Sequence, residues 1–68
     1  MTVLSERRER IEKLRKMLSE NKGKSYKDVL TEFCLETGVK MRTASEYLDL
    51  LTGAGIVKIE DGIIKEVS

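Results

Sequence analysis

"GVKMRTASEYLDLLTGAGIV", residues Gly38 to Val57, is the passage on which the fold turns. Ala44, Tyr47, Leu48 and Leu51 fall on one face of a helix over about 41–52, the three-four spacing of an amphipathic segment. Gly38 precedes this helix after a three-residue turn, with Val39 packing from the turn. Gly53 and Gly55 follow it and permit a sharp exit into an apolar run.

Downstream, "IVKIEDGIIKEV" is a hairpin signal: β-branched runs on either side of Asp61-Gly62, the dipeptide that favours a type I′ turn. A two-residue loop predicts the pairs Glu60–Ile63, Ile59–Ile64, Lys58–Lys65, Val57–Glu66 and Ile56–Val67 over about 56–67. Lys58 opposite Lys65 is a like-charge pair and mildly destabilising. Either a nearby phosphate relieves that repulsion, or Glu60 and Glu66 screen it. An isolated hairpin is barely stable in water, so this one must pack its Ile and Val side chains on the helices.

Upstream, Ser25-Tyr-Lys-Asp28 has the form of a capping box with Asp in place of Glu. It opens a second helix over about 25–36 whose stripe is Tyr26, Val29, Leu30, Phe33 and Cys34, closed by Gly38. The first helix runs over about 4–20, with Leu4, Ile11, Leu14 and Leu18 on one stripe and Met17 beside them. The stripe is interrupted across "SERRER", where Arg7 or Arg8 stands in an apolar place. Its first half is therefore expected to be less well buried, and Gly23 ends the helix.

The 68 residues leave room for one domain, 1–68. A chain of this length buries only about 60% of the surface exposed when unfolded, and Cys34 alone cannot form an internal disulfide. A lone cysteine without a secretory signal fits a reducing cytoplasm. No apolar run is long enough for a membrane span. Gln, His, Trp and Pro are absent while Lys, Arg and Glu abound, a usage resembling that of heat-adapted proteins.

The net charge of +1 hides an asymmetry. Residues 1–27 carry nine basic and four acidic side chains, a balance of +5; residues 28–68 carry four and eight, a balance of −4. Part of the first-half charge is explained by i,i+4 pairs such as Glu6–Arg10, Glu9–Lys13 and Glu12–Lys16. The excess points to a polyanion or an acidic partner. No His, metal-ligand cluster or glycine-rich phosphate loop is present, and Cys34 has no base beside it in sequence. Neither an enzyme nor a cofactor or small-molecule binder is expected. Cys34 reads as a small buried hydrophobe.

Three helices, a short glycine turn and a C-terminal hairpin resemble the winged helix-turn-helix DNA-binding family over about Ile11 to Val67, in its small, archaeal or thermophile-like form. The carrying features are the glycine turn, Leu48 and Leu51 facing inward, and the exit Ala54-Gly55-Ile56-Val57. The implied fold is mainly α with a small β-hairpin, a three-helix winged helix-turn-helix. The implied partner is double-stranded DNA, bound by a transcription regulator or chromatin-associated factor through the third helix in the major groove. The resemblance places Lys40, Met41, Arg42, Ser45, Glu46 and Asp49 on the exposed face of that helix. It brings Lys24, Ser25 and Lys27 to the phosphate backbone, and Lys58 and Lys65 beside the wing.

The residues agree in part. Arg42 suits guanine, Ser45 either base type, and Glu46 the cytosine amino group. The N–H groups at the start of the second helix suit a phosphate. Asp49 suits solvent or a position past the contacted turn, and the acidic "EDG" tip argues against deep minor-groove insertion. A second reading is a protein-binding accessory subunit of a replication or transcription complex, docking through Thr43, Tyr47 and Leu50. A homodimer through the first helix, using Leu4, Arg7 and Ile11, is compatible with DNA binding.

Overall fold

The computed structural model describes residues 3–68, with side chains from Glu6 onward. Three helices, α1 (Val3–Glu20), α2 (Tyr26–Thr37) and α3 (Met41–Gly53), precede an antiparallel hairpin of β1 (Val57–Glu60) and β2 (Ile63–Val67). This is the three-helix, single-hairpin layout of a winged helix-turn-helix.

The helical stripes meet in one core. Leu14 and Leu18 of α1, Val29, Leu30 and Phe33 of α2, and Ala44, Tyr47, Leu48 and Leu51 of α3 are buried, with Val57 and Ile64 closing it from the hairpin. Full burial of one such aliphatic or aromatic side chain stabilises by about 1.5–3 kcal/mol relative to exposure. No charged or polar side chain is buried among the described residues. Ile11, assigned above to a dimer surface, is half-buried and packs against this core. Tyr47, assigned above to a partner surface, is 6% exposed and meets Phe33 edge-to-face at 6.4 Å. Both corrections have one cause: each lies on the inner stripe of its helix. The side chain of Leu4 lies outside the described residues.

The turns follow from backbone chemistry. Gly38 has φ +76° and returns its N–H to the Cys34 carbonyl at 2.8 Å, an αL cap. Thr37 reinforces it: its hydroxyl donates to the Phe33 carbonyl at 2.7 Å and accepts the Val39 N–H at 3.3 Å. At the end of α3, Ile56 N–H reaches the Leu51 carbonyl and Gly55 N–H reaches the Thr52 carbonyl. That is the Schellman pattern, and Ile56 packs on the core as its accompanying apolar contact.

The hairpin departs from the expected register. Val57 pairs with Val67, Lys58 with Glu66, Ile59 with Ile64 and Glu60 with Ile63, with a bulge opposite Lys58. Lys65 is the extra residue, so Lys58 and Lys65 are not a cross-strand pair. The reason lies in the apolar spacing. Ile64 and Val67 both turn inward but stand three residues apart, whereas a regular strand repeats its faces every two. Without the bulge, Glu66 would share the inner face with Ile64. One inserted residue keeps it outside.

A further departure concerns Ser25. It precedes α2 as expected, but its side chain makes no capping hydrogen bond. Instead residues 23–26 lie along β2 as the stub of a third strand. Gly23 N–H donates to the Ile64 carbonyl, Ile64 N–H to the Lys24 carbonyl and Tyr26 N–H to the Gly62 carbonyl, at 2.8, 3.0 and 3.0 Å. Ser25 and Ile63 form the bridge between them.

Candidate nucleic-acid interface

The expected DNA-contacting residues fall into three groups. The first is the start of α3. Lys40 is its N-cap in extended backbone, and Ala44 N–H is the first to find an intrahelical partner, the Lys40 carbonyl at 2.9 Å. The N–H groups of Met41, Arg42 and Thr43 therefore project from the helix end without intrahelical acceptors. No acid occupies this first turn. Lys40, Met41 and Arg42 are exposed and Ser45 is half-buried. Positive side chains thus coincide with the positive end of the helix dipole, an arrangement that favours an anion.

Farther along α3 the character reverses. Glu46 and Asp49 are exposed and follow Arg42 at i+4 and i+7, on its side of the helix. Neither ion pair formed among the described residues involves Arg42. The half-turns beyond Glu46 present Asp49 and Leu50, the latter 48% exposed.

The second group surrounds the start of α2. Lys24 and Lys27 are exposed and Ser25 is half-buried. This end is a poorer anion site than expected. Tyr26 N–H is already committed to the Gly62 carbonyl, and Asp28 sits in the first turn, offsetting the dipole there. The two lysines remain available as point charges, while the backbone contributes less.

The third group is the wing. Its connection is a two-residue turn in which Asp61 has φ +53° and Gly62 φ +75°, the type I′ form. The turn is tied down on Tyr26 rather than projecting. The structure thus brings the hairpin tip together with Lys24, Ser25 and Lys27, placing Glu60 and Asp61 in their neighbourhood. Lys58 faces Glu66 across the hairpin and its ammonium lies 3.6 Å from a Glu60 carboxylate oxygen. This exposed pair is worth at most about 1 kcal/mol, yet it means that a phosphate must compete for Lys58 with the chain's own carboxylate. The relief of a Lys58–Lys65 repulsion by phosphate loses its basis. Lys65, at the bulge, is exposed.

Two surface features escaped the sequence reading. Leu35 is 81% exposed, and its signal was its place two residues beyond Phe33, on the opposite side of α2. Asp28, Glu32 and Glu36 are exposed and recur at i, i+4 and i+8, forming an acidic row along the same helix. Arg15 is a structural cation: it bonds Glu12 at 3.0 Å and the Ser68 carbonyl at 2.8 Å, tying α1 to the end of the hairpin.

Cys34 is a half-buried free thiol packed on the core. Among the described residues no group of His, Cys, Asp and Glu is placed to hold a metal ion, and no helix is long and apolar enough to cross a membrane. Comparison with protein-family models, with curated proteins and with solved structures returns no match.

Proposed function

We propose that this chain is a cytoplasmic winged-helix protein that binds duplex DNA, as a transcription regulator or chromatin-associated factor. The supporting observation is the start of α3: an exposed, acid-free helix end where unpartnered N–H groups, Lys40 and Arg42 share one sign of charge. In this reading Lys40 to Glu46 enters the major groove, Arg42 addresses guanine and Ser45 or Glu46 a neighbouring base. Lys24 and Lys27 add phosphate contacts from α2, and the tied-down wing stays outside the minor groove. A non-catalytic role without cofactor or small-molecule substrate accompanies this reading.

Four cations at the DNA, Lys24, Lys27 and Lys40 on phosphates and Arg42 on guanine, together neutralise about four backbone charges, so log K falls against log salt with a slope of about −3.6. Binding to random-sequence duplex DNA across a salt series tests this, with Lys27, Lys40 and Arg42 each changed to Ala. Each change is expected to reduce the slope by about 0.9. Absence of binding at low salt, or indifference to all three changes, rejects DNA binding.

The second reading, a protein-docking accessory subunit, draws on exposed Leu50 beside Asp49. It predicts instead that Leu50→Glu abolishes partner capture and leaves any DNA affinity unchanged.

A further inference from the structure

The inner stripe of α1 continues past the core into charge. Arg7 and Arg10 precede fully buried Leu14 by seven and four residues and so lie on the same side of the helix. Yet both are exposed, as is every residue from Glu6 to Arg10. Among the described residues the core ends near Ile11, and beyond it residues 6–10 of α1 carry Arg7 and Arg10 on this side, with Glu6 and Glu9 beside Arg10. The molecule measures 36 Å along its long axis against 23 and 19 Å across.

The outer face of α2 has the opposite character. Asp28, Glu32 and Glu36 form a row with successive members about 6 Å apart, and none takes part in either ion pair formed among the described residues; Glu36, at the end of the row, also lines the cleft toward α1 with Lys13, Arg15 and Lys16. Like charges at i,i+4 destabilise a helix, so the row is a cost to the isolated chain. Leu35, the most exposed of the large apolar side chains described, stands beside it. A lone surface leucine is ordinary; one flanked by carboxylates that form no ion pair among the described residues, on a chain whose α1 exposes Arg7 and Arg10, has a complementary surface available in another copy.

We propose that this protein self-associates by laying residues 6–10 of α1 in one copy along the outer face of α2 in another. Arg7 and Arg10 meet Glu32 and Glu36, and Leu35 is covered by the stem of an arginine. The contact does not use the start of α3, so it is independent of the DNA-binding reading, and it replaces Ile11 as the α1 residue that faces a partner. Because it is charge-driven at an exposed surface, it is strong at low ionic strength and fades as salt shortens the screening length.

The test is sedimentation equilibrium of the full chain without DNA, at low and high salt, with helicity followed by circular dichroism. Arg7→Glu with Arg10→Glu, or Glu32→Lys with Glu36→Lys, is expected to weaken self-association by about tenfold or more, because each creates like-charge contacts. Mixing the two variants restores complementarity on both faces and is expected to regain association between unlike chains. All substituted positions are exposed, so the fold persists. A wild-type chain that is monomeric at low salt overturns the proposal, as does association indifferent to either pair or a mixture that fails to associate.

Discussion

Tyr47 lies one residue before Leu48 on the inner face of α3 and three before Leu50 on the outer side, and its ring environment decides which neighbour it belongs with. Burial at 6% exposure against Phe33 makes it a core residue. Tyr47→Ala is expected to cost about 3–5 kcal/mol, a large share of the roughly 5–15 kcal/mol that holds a small domain together. Leu50→Ala, on the exposed side, is expected to stay within about 0.5 kcal/mol of wild type. Urea denaturation of the two variants separates the roles, and equal losses would return Tyr47 to the surface. Gly38 poses a purely conformational question. A β-carbon there would meet no atom within 4 Å, yet its φ is +76°. Gly38→Ala is therefore expected to cost about 1–2 kcal/mol through the left-handed backbone alone, and Gly38→Asn less, since Asn tolerates that region.

At the scale of elements, the bulge in β2 yields a sharper test. Deleting Lys65 moves Ile64 and Val67 to a spacing of two, which a regular strand satisfies. The shortened hairpin is expected to fold with Lys58 still opposite Glu66 and Val57 opposite Val67, read from cross-strand nuclear Overhauser contacts. Loss of those contacts would mean that the bulge is needed for closure rather than accommodated by it. Ser25→Ala is expected to cost less than the ~1 kcal/mol of an ordinary N-cap, because the Ser25 side chain caps nothing; a full loss by urea denaturation would restore the capping role. These two sites also show where sequence reading reaches its limit. Helical stripes, the glycine stops and the Asp61-Gly62 turn are local patterns, and each was legible. The bulge was written in the Ile64–Val67 spacing but concealed by the assumption of uniform pairing. The strand stub at residues 23–26 was invisible because its hydrogen bonds are backbone bonds to residues about forty positions away, and backbone groups leave no mark in side-chain pattern.

For the whole molecule, the division of charge into a +5 first part and a −4 remainder was visible from composition, but its distribution over the surface was not. Folding sets an acid-free helix end at Lys40 and Arg42 only a turn from Glu46 and two from Asp49, and it lays the acidic wing tip beside Lys24 and Lys27. Sequence order alone cannot say which of these charges act together, since that depends on Ser25 and Tyr26 meeting β2. If the start of α3 faces DNA, the carboxylates farther along act as a brake on non-specific binding, because a phosphate backbone repels them without regard to base sequence. Removing both charges, with Glu46→Gln and Asp49→Asn, is then expected to raise affinity for random duplex. The gain should be on the order of 3–10-fold at 50 mM salt and should shrink toward none near 1 M, where the screening length falls to about 3 Å. Fluorescence anisotropy of a labelled duplex across that salt range measures it. A gain independent of salt would assign the two acids to direct contacts rather than to the field. No gain at any salt concentration would place this face of α3 away from the DNA altogether.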